Sequence, residues 1–453
     1  MNEKLAVFSD RIKGKTVAVI GIGISNKPLI SFLLRYGAKV TAYDRKTREQ
    51  LGDIYDELAA AGVSFHLGEG YLDALCEEII FKTPGMRYDV PALVKARERG
   101  AWVTSEMEVF FDVCPAKLIA VTGSDGKTTT TTLIHKLLTA SGLKTRLGGN
   151  IGRPLIDECD KIGSDEYMVL ELSSFQLHTM SQSPDIAVVT NITPNHLDVH
   201  KDYQEYIDAK KNIMLYQNGG GLLVINENNE ETKKLRGEAK GAVRSFSAYC
   251  GADFCLKDGA ICYNGEHVLE VSDIKIPGMH NVENYMAAIA AVYDIIDKKV
   301  IREVAQSFGG VEHRIELVRI LDGVKYYNSS IDSSPNRSLN TLRVFGDNVV
   351  MIAGGKDKGI PYDDIGPAVC EHVKSLILIG MTADKIEEAV RNTSGGDKVK
   401  ITRVSTYPEA VKTARAEASR GDIVLLSPAS TSFDMFNNFE ERGNLFKKIV
   451  NEL

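Results

Sequence analysis

Residues 118–132 read L-I-A-V-T-G-S-D-G-K-T-T-T-T-T, an apolar run that breaks at glycine into a lysine and a row of threonines. A strand that stops at glycine and passes straight into a helix is the unit from which parallel α/β sheets are built, with ligands at the strand ends. Leu133, Leu137 and Leu138 continue the stretch at helical spacing. Glycine has no Cβ, so the backbone N–H groups around Gly123 and Gly126 can close on an anion, and the positive end of the helix points at the same place. Lys127 then reaches the outer phosphates of a nucleotide and the Thr128 hydroxyl suits Mg²⁺. Only Ser124 and Asp125 separate the first glycine from Gly126-Lys127, where the common phosphate loop has four residues. The alternative is a glycine turn that happens to contain a lysine.

The rest of the chain sets the bounds. At 453 residues it exceeds one ordinary core, and about 150 residues per domain suggests three. A hydrophobic share of 43% and a charged share of 25% are those of a globular chain. The net charge of -7 gives no basic footprint for nucleic acid or an anionic membrane, so an anionic ligand has to be captured locally. The opening M-N-E-K-L-A-V-F-S-D has neither the charge pattern nor the apolar run of a signal or a membrane span, and a cytoplasmic protein is expected. Seven cysteines without a C-x-x-C pair fit a reducing compartment. Cys250, Cys255 and Cys262 lie closest together but fall in strand-like runs without a fourth ligand, so neither a metal site nor a disulfide is expected of them.

Taken in order, a strand at residues 15–19 leads into G-I-G-I-S, a helix to Tyr36, and a second strand at residues 40–43 that ends on Asp44-Arg45. This is a nucleotide-binding βαβ opening, although Asn26 stands where a dinucleotide fingerprint has its third glycine, which weakens the case for NAD. The turn still offers N–H groups to a diphosphate, and Asp44 stands where a carboxylate meets a ribose or base; a turn without a ligand is the alternative. A further strand near residues 79–81 runs into Thr83-Pro84-Gly85, and the first domain is expected to close near Ser105. After the phosphate loop, a strand at residues 167–170 delivers Glu171 to its carboxyl end, a natural place for a metal ligand beside phosphates. Another, at residues 186–191, runs into T-P-N-H-L-D-V-H, where His196 is a candidate for chemistry. Asn150 presents an amide to a ligand or merely fixes a turn. The following helix carries Tyr206, Ala209, Lys210 and Ile213 at spacings of three and four, and by physics alone Lys210 is a solvated surface lysine. Asn281 and Asn284 share one face of an alanine-rich helix and suit adenine or phosphate, or else cap the helix. Gly309-Gly310 is a candidate hinge, and Arg314 beyond it is a planar phosphate donor. The last third again alternates strand and helix, with turns at Gly354-Gly355, Gly380 and Ser427-Pro428.

The order T-G-S-D-G-K-T-T, E-L-S-S-F-Q-L, T-P-N-H-L-D, A-K, P-G-x-H-N-x-x-N, E-H-R-I-E, G-G-K-D-K-G and S-P-A-S-T-S-F-D-M-F resembles the Mur ligases of peptidoglycan synthesis over nearly the whole chain. Within that family, G-I-G-I-S with Asp44-Arg45, the E-L-S-S-F-Q-L run and S-F-D-M-F-N-N-F-E-x-R-G look like the members that add D-glutamate to UDP-N-acetylmuramoyl-L-alanine. The resemblance implies an ATP-dependent amide ligase working through an acyl phosphate, with two Mg²⁺ sites. It implies ATP contacts at Gly123, Ser124, Asp125, Gly126, Lys127, Thr128, Thr129, Asn281, Asn284 and Arg314. Catalytic roles are implied for Lys127, His196 and Lys210. Thr128 and Glu171 would hold one Mg²⁺, and His196 with Lys210, the latter carbamylated, the other; Lys211 next door contests that assignment. Ile24, Ser25, Asp44, Arg45, Gly85, Asn150, Ser173 and Gln176 match the UDP-substrate set. Ser333, Lys358, Ser432 and Phe439 match the D-glutamate set.

One stretch departs from the family pattern: N-D-S-K-A-T-N reads N-S-S-I-D-S-S at residues 328–334, so Ser329 and Ile331 replace a carboxylate and an ammonium. Asp332 is the one nearby carboxylate that could compensate. The expected architecture is three α/β domains: a Rossmann-like UDP-substrate domain at residues 1–105, a central P-loop-type ATPase domain at 106–311, and a Rossmann-like amino-acid domain at 312–453. The last is expected to close on the centre, because reacting atoms must come within roughly 3 to 3.5 Å. The expected partners are small-molecule substrates only, with no nucleic acid and no membrane insertion, for a chain acting as a monomer.

Overall fold

The computed structural model describes residues 2–23, 26–195, 199–249 and 251–453. The chain divides into two compact units, one of residues 1–273 and 279–305, the other of 274–278 and 306–453. Three sheets run through them, all of the α/β type.

In the first unit, a five-stranded parallel sheet has the order Ser64–Leu67, Lys39–Asp44, Thr16–Ile20, Ile79–Phe81, Trp102–Thr104. Thr16–Ile20 is central because T-V-A-V-I is β-branched and apolar on both faces, as a strand covered on both sides must be. The strand order reverses between it and Ile79–Phe81, the crevice in which such sheets bind ligands. Gly21 stands there with φ at +85°, and a Cβ on it would press on Thr83. Asn26 proves structural: buried, it donates to the carbonyls of Ile20 and Gly21 at 3.0 and 2.9 Å and ties the turn to its helix.

A nine-stranded sheet follows in the same unit. Its parallel core places Lys117–Thr122 between Tyr167–Glu171 and Ile186–Val189. Val121 pairs with Glu171 and Thr122 with Val189, so the carboxyl ends of three strands finish level and deliver Gly123, Glu171 and Thr190 to one edge. The far edge turns antiparallel through Phe254–Lys257, Ala260–Tyr263 and Glu266–Glu270. Cys255 and Cys262 are register partners across the first antiparallel pair.

The second unit holds a six-stranded sheet in the order Glu316–Leu321, Val324–Asn328, Ile423–Leu426, Val349–Ala353, Val373–Leu378, Lys400–Arg403, parallel except for its first pair. Its C-terminal helix, Phe439–Glu452, carries Arg442, which is wholly buried. The guanidinium donates to Ser330 Oγ at 3.0 Å, to the Ser330 carbonyl at 2.7 Å and to the Ser430 carbonyl at 3.0 Å. These bonds cross-brace the loop after Val324–Asn328 and the loop after Ile423–Leu426. No helix among the described residues is long and apolar enough to cross a membrane.

Replacing Arg442 by Met strips three buried acceptors of their donor, so urea unfolding should show a loss of about 3 kcal/mol. Lys448→Met, on the exposed face of the same helix, should stay within about 0.5 kcal/mol of the unaltered protein.

Candidate active site

The phosphate loop is held from three sides. Gly126 is the left-handed residue at the start of the helix Lys127–Ala140, with φ at +77°. A side chain there would overlap Asn284 Oδ1, and one on Gly123, whose φ is +153°, would overlap Thr190 Oγ1. Asn191 and Thr190, just beyond the strand Ile186–Val189, hold the tip of the loop. Asn191 Oδ1 accepts from Asp125 N–H at 2.9 Å, its carbonyl accepts from Ser124 N–H at 2.9 Å, and Thr190 Oγ1 donates to the Asp125 carbonyl at 2.6 Å. Ser124 Oγ is hydrogen-bonded to Tyr206 Oη at 2.9 Å and to the Thr193 backbone at both N–H and carbonyl. Lys127 Nζ donates to the carbonyls of Gly123 and Ser124, both at 2.8 Å, so the ammonium lies along its own loop. Thr128 and Thr129 stand half-buried in the first turn of the helix. Asn284 accepts from Thr130 at 3.3 Å and donates to Asn281 at 3.1 Å, which brings the amide pair of the Met279–Val292 helix against the loop.

Glu171 is 2% exposed. Its Oε1 accepts from Asn150 Nδ2 at 2.7 Å, while its buried Oε2 has no hydrogen-bond partner among the described residues. A buried carboxylate oxygen left open beside a phosphate loop suits a hard divalent cation, which takes oxygen ligands. Thr128 stands in the first turn of the helix that follows the loop, and with its hydroxyl the donor chemistry fits Mg²⁺. Asn150 thus serves Glu171 directly, rather than only fixing a turn.

Lys210 overturns the reading of its helix from physics alone. It is buried, 2% exposed, and not a solvated surface lysine. The spacing of Tyr206, Lys210 and Ile213 marks the face packed inward, and Lys210 Nζ donates to the Gly123 carbonyl at 2.8 Å and approaches Thr122 Oγ1 at 3.4 Å. Burial, with the charge of Lys127 adding to it, holds its pKa well below the usual lysine range, against the opposing pull of Asp125 and Glu171. The neighbour Lys211 instead pairs with Glu238 at 2.6 Å near the surface.

In the first sheet, Asp44 Oδ2 accepts from Ile22 N–H at 2.6 Å and Oδ1 from Lys46 N–H at 2.9 Å, which closes the G-x-G turn onto the second strand. Arg45 and Gly85 are exposed at the same strand-end edge. Ser173 and Gln176 form a reciprocal cap on the short helix Ser174–Leu177, Ser173 Oγ accepting from Gln176 N–H at 3.3 Å and Gln176 Oε1 from Ser173 N–H at 3.0 Å. Ile24, Ser25 and His196 lie outside the described residues.

The second unit carries the remaining candidates. Arg314 and Lys358 are exposed, Ser333 is half-buried, and Ser432 is buried with its carbonyl accepting from Met435 and Phe436 N–H. Phe439 opens the C-terminal helix, its carbonyl accepting from Ser330 Oγ at 2.8 Å and its ring edge-on to His313. In the divergent run, Asp332 turns inward and accepts from Ser427 Oγ at 2.8 Å, and burial raises its pKa.

Sequence reasoning missed Thr190, Asn191 and Tyr206, which hold the loop; their one signal was position, at a strand end and one helical turn before Lys210. It also missed the ionic cluster around Glu205. His178, His200 and Glu205 bring ligand atoms within 4.8 Å of one another, a spacing that metal sites share. Both Glu205 oxygens, however, accept from the Arg87 guanidinium at 2.9 Å, which stands where a metal cation would.

Residues 15–105 match the family described as Mur ligase MurD-like, N-terminal domain, residues 121–292 the Mur ligase middle domain, and residues 313–430 the Mur ligase glutamate ligase domain. A protein of Acetivibrio thermocellus called UDP-N-acetylmuramoylalanine--D-glutamate ligase is 54% identical over the full length of both chains. One of the same name from Ruminiclostridium cellulolyticum is 53% identical, again over both full lengths. Among solved structures, the UDP-N-acetylmuramate-alanine ligase of Thermotoga maritima aligns over 97% of this chain and 99% of its own, with a TM-score of 0.59 at 18% identity, a likeness of fold.

The burial of Lys210 has a thermodynamic signature. A lysine whose folded pKa lies below its unfolded value binds fewer protons when native, so stability rises with pH from the lowered value up to about 10.4 and falls as pH drops through that window. Lys210→Met should abolish that slope and stabilise the protein at neutral pH. Unfolding free energies measured along a pH series check this through the difference between the two proteins.

Proposed function

The chain belongs to the Mur ligase family, and from that premise we infer that it joins D-glutamate to UDP-N-acetylmuramoyl-L-alanine with ATP, a step of peptidoglycan precursor synthesis. The observation that carries this is full-length identity above one half with ligases of that name, on a chain whose phosphate loop, Glu171 and Lys210 converge at one sheet edge.

The alanine carboxylate of the substrate attacks the γ-phosphorus of ATP, giving an acyl phosphate and ADP. The D-glutamate amine then attacks the acyl carbon, and phosphate leaves with one of the original carboxylate oxygens. Lys127 and the N–H groups of Gly126, Thr128 and Thr129 stabilise charge on the transferring phosphoryl group, while Gly123, Ser124 and Asp125, the last two held by Asn191 through their N–H groups, shape the loop around it. Asn281, Asn284 and Arg314 complete the nucleotide set. Thr128 and Glu171 would hold one Mg²⁺, and His196 with Lys210 a second; the ions would supply Lewis-acid neutralisation of phosphate charge. The open Oε2 of Glu171 supports the first assignment. For the second, a lysine amine adds CO2 to form a carbamate, releasing a proton, only when it is neutral. The lowered pKa of buried Lys210 supports that state.

The UDP portion of the substrate is assigned to Ile24, Ser25, Asp44, Arg45 and Gly85, with Asn150, Ser173 and Gln176 toward its carboxylate. D-glutamate is assigned to Ser333, Lys358, Ser432 and Phe439. Domain limits of 1–105, 106–311 and 312–453 fit this division of labour, with Gly309-Gly310 as the hinge. A monomer working in the cytoplasm, where nucleotide-linked precursors are made, completes the reading.

Phosphate release from Mg·ATP and UDP-N-acetylmuramoyl-L-alanine should occur with D-glutamate and not with L-glutamate, L-lysine or no amino acid. The product should be heavier by one glutamyl residue. Release with another amino acid and none with D-glutamate would overturn the assignment.

A further inference from the structure

Two residues after Gly85, the chain places an arginine whose contacts the reaction does not use. Arg87 has five N–H donors, and all five are engaged. Nε and Nη2 donate to the two oxygens of Asp89, each at 2.9 Å. Nη1 and Nη2 donate to the two oxygens of Glu205, each at 2.9 Å, and Nη1 also donates to the Val199 carbonyl at 2.7 Å. Glu205 Oε2 accepts in addition from Lys201 N–H at 2.7 Å, and Lys201 Nζ lies 3.3 Å from Asp89. The Arg87 and Glu205 side chains are 24% and 14% exposed, so the fork is shielded from water and salt. Fork-to-fork pairing fixes the mutual orientation of the two groups as well as their distance.

Glu205 lies in the first turn of the helix Tyr203–Leu215. The next residue, Tyr206, is bonded to Ser124 of the phosphate loop at 2.9 Å, and Lys210, five positions on, donates to the Gly123 carbonyl at 2.8 Å. A route therefore runs from the Pro84-Gly85 turn of the five-stranded sheet along two residues of chain to Arg87, across the ion pair to Glu205, and along the helix to Tyr206 and Lys210, which meet Ser124 and Gly123 of the phosphate loop. His178 and His200 flank the pair at 3.6 and 3.5 Å from Glu205 and close its sides.

We propose that Arg87 is a positioning residue that couples the UDP-substrate turn to the nucleotide loop, so that occupancy of one site raises affinity at the other. This rests on the assignment of Gly85 to the UDP-substrate pocket and of the phosphate loop to ATP. Displacement of the Pro84–Arg87 segment by a substrate shifts the Tyr203–Leu215 helix, and with it the carbonyl and hydroxyl contacts that set the loop. Coupling of this kind is reciprocal and ordinarily spans about 5-fold to 150-fold in affinity.

The test is a binding cycle on the full chain. The affinity of a non-hydrolysable Mg·ATP analogue is measured with and without saturating UDP-N-acetylmuramoyl-L-alanine, in the unaltered protein, in Arg87→Gln and in Glu205→Gln, with thermal melts as a fold control. Expected is a substrate-induced tightening of at least about 5-fold in the unaltered protein. It should fall to less than about 2-fold in each variant, while nucleotide affinity without substrate changes by less than about 3-fold. Arg87→Lys, which keeps the charge and loses the fork, should not restore the coupling. Equal coupling in folded Arg87→Gln, or no coupling in the unaltered protein although both ligands bind, would overturn the proposal alone. If Arg87→Gln does not fold, Glu205→Gln decides by the same criterion. Failure of the unaltered protein to bind the UDP-substrate at all would overturn the functional reading, and the proposal with it.

Discussion

The structure depends on a steric constraint: nothing larger than hydrogen fits at positions 123 and 126. Thr190 and Asn284 occupy the space that side chains would take, and both glycines hold positive φ. The backbone can therefore turn tightly into the helix Lys127–Ala140, whose first N–H groups face the loop, and the strand Ile186–Val189 and the Met279–Val292 helix must pack directly on the loop. Once those neighbours are fixed, the level ends of three parallel strands determine where Glu171 comes to rest. The arrangement is electrostatically demanding. A lysine from the loop and a second lysine from the Tyr203–Leu215 helix meet at the same Gly123 carbonyl. Two lysine nitrogens so close are tolerated because burial favours the neutral amine of Lys210.

Much of this was legible from the sequence because the phosphate loop is a local object. Glycine, lysine and threonine within ten residues specify strand, turn and helix start without reference to the rest of the chain. The same holds for the G-x-G turn, and for the alternation of apolar runs and glycine turns that announced parallel sheets. Lys210 was not legible by physics alone: spacing says which residues share a helical face, but which face is buried is decided by the strand end it meets. Only the family resemblance pointed to it. Asn26 was read as a missing glycine, while in the fold its amide satisfies two carbonyls that the turn exposes.

Longer-range pairs carried no signal at all. Arg87 and Glu205 are separated by 118 residues, and Arg442 and Ser330 by 112. Such pairs depend on which loops the topology brings together, and a single sequence holds no trace of that. The divergent run at residues 328–334 shows the reverse case. The sequence flagged the loss of a carboxylate and an ammonium, and the fold shows Asp332 spent on Ser427 inside the second unit. Ser329 and Ser330 in turn meet Ile315 and Arg442 through their hydroxyls. The run has become a brace in its own unit, and the charged partners it lacks are not replaced from within it.

The central claim is that the carboxylate of the substrate is activated by phosphorylation at the Gly123–Thr129 loop. It is tested most directly by following the carboxylate oxygens. UDP-N-acetylmuramoyl-L-alanine carrying heavy oxygen at both positions of its alanine carboxylate is converted with ATP and D-glutamate, and the released phosphate is analysed by mass. Transfer of one heavy oxygen to each phosphate, with the other retained in the new amide, is the predicted result. Phosphate free of label, formed at the same rate as the amide, would contradict it.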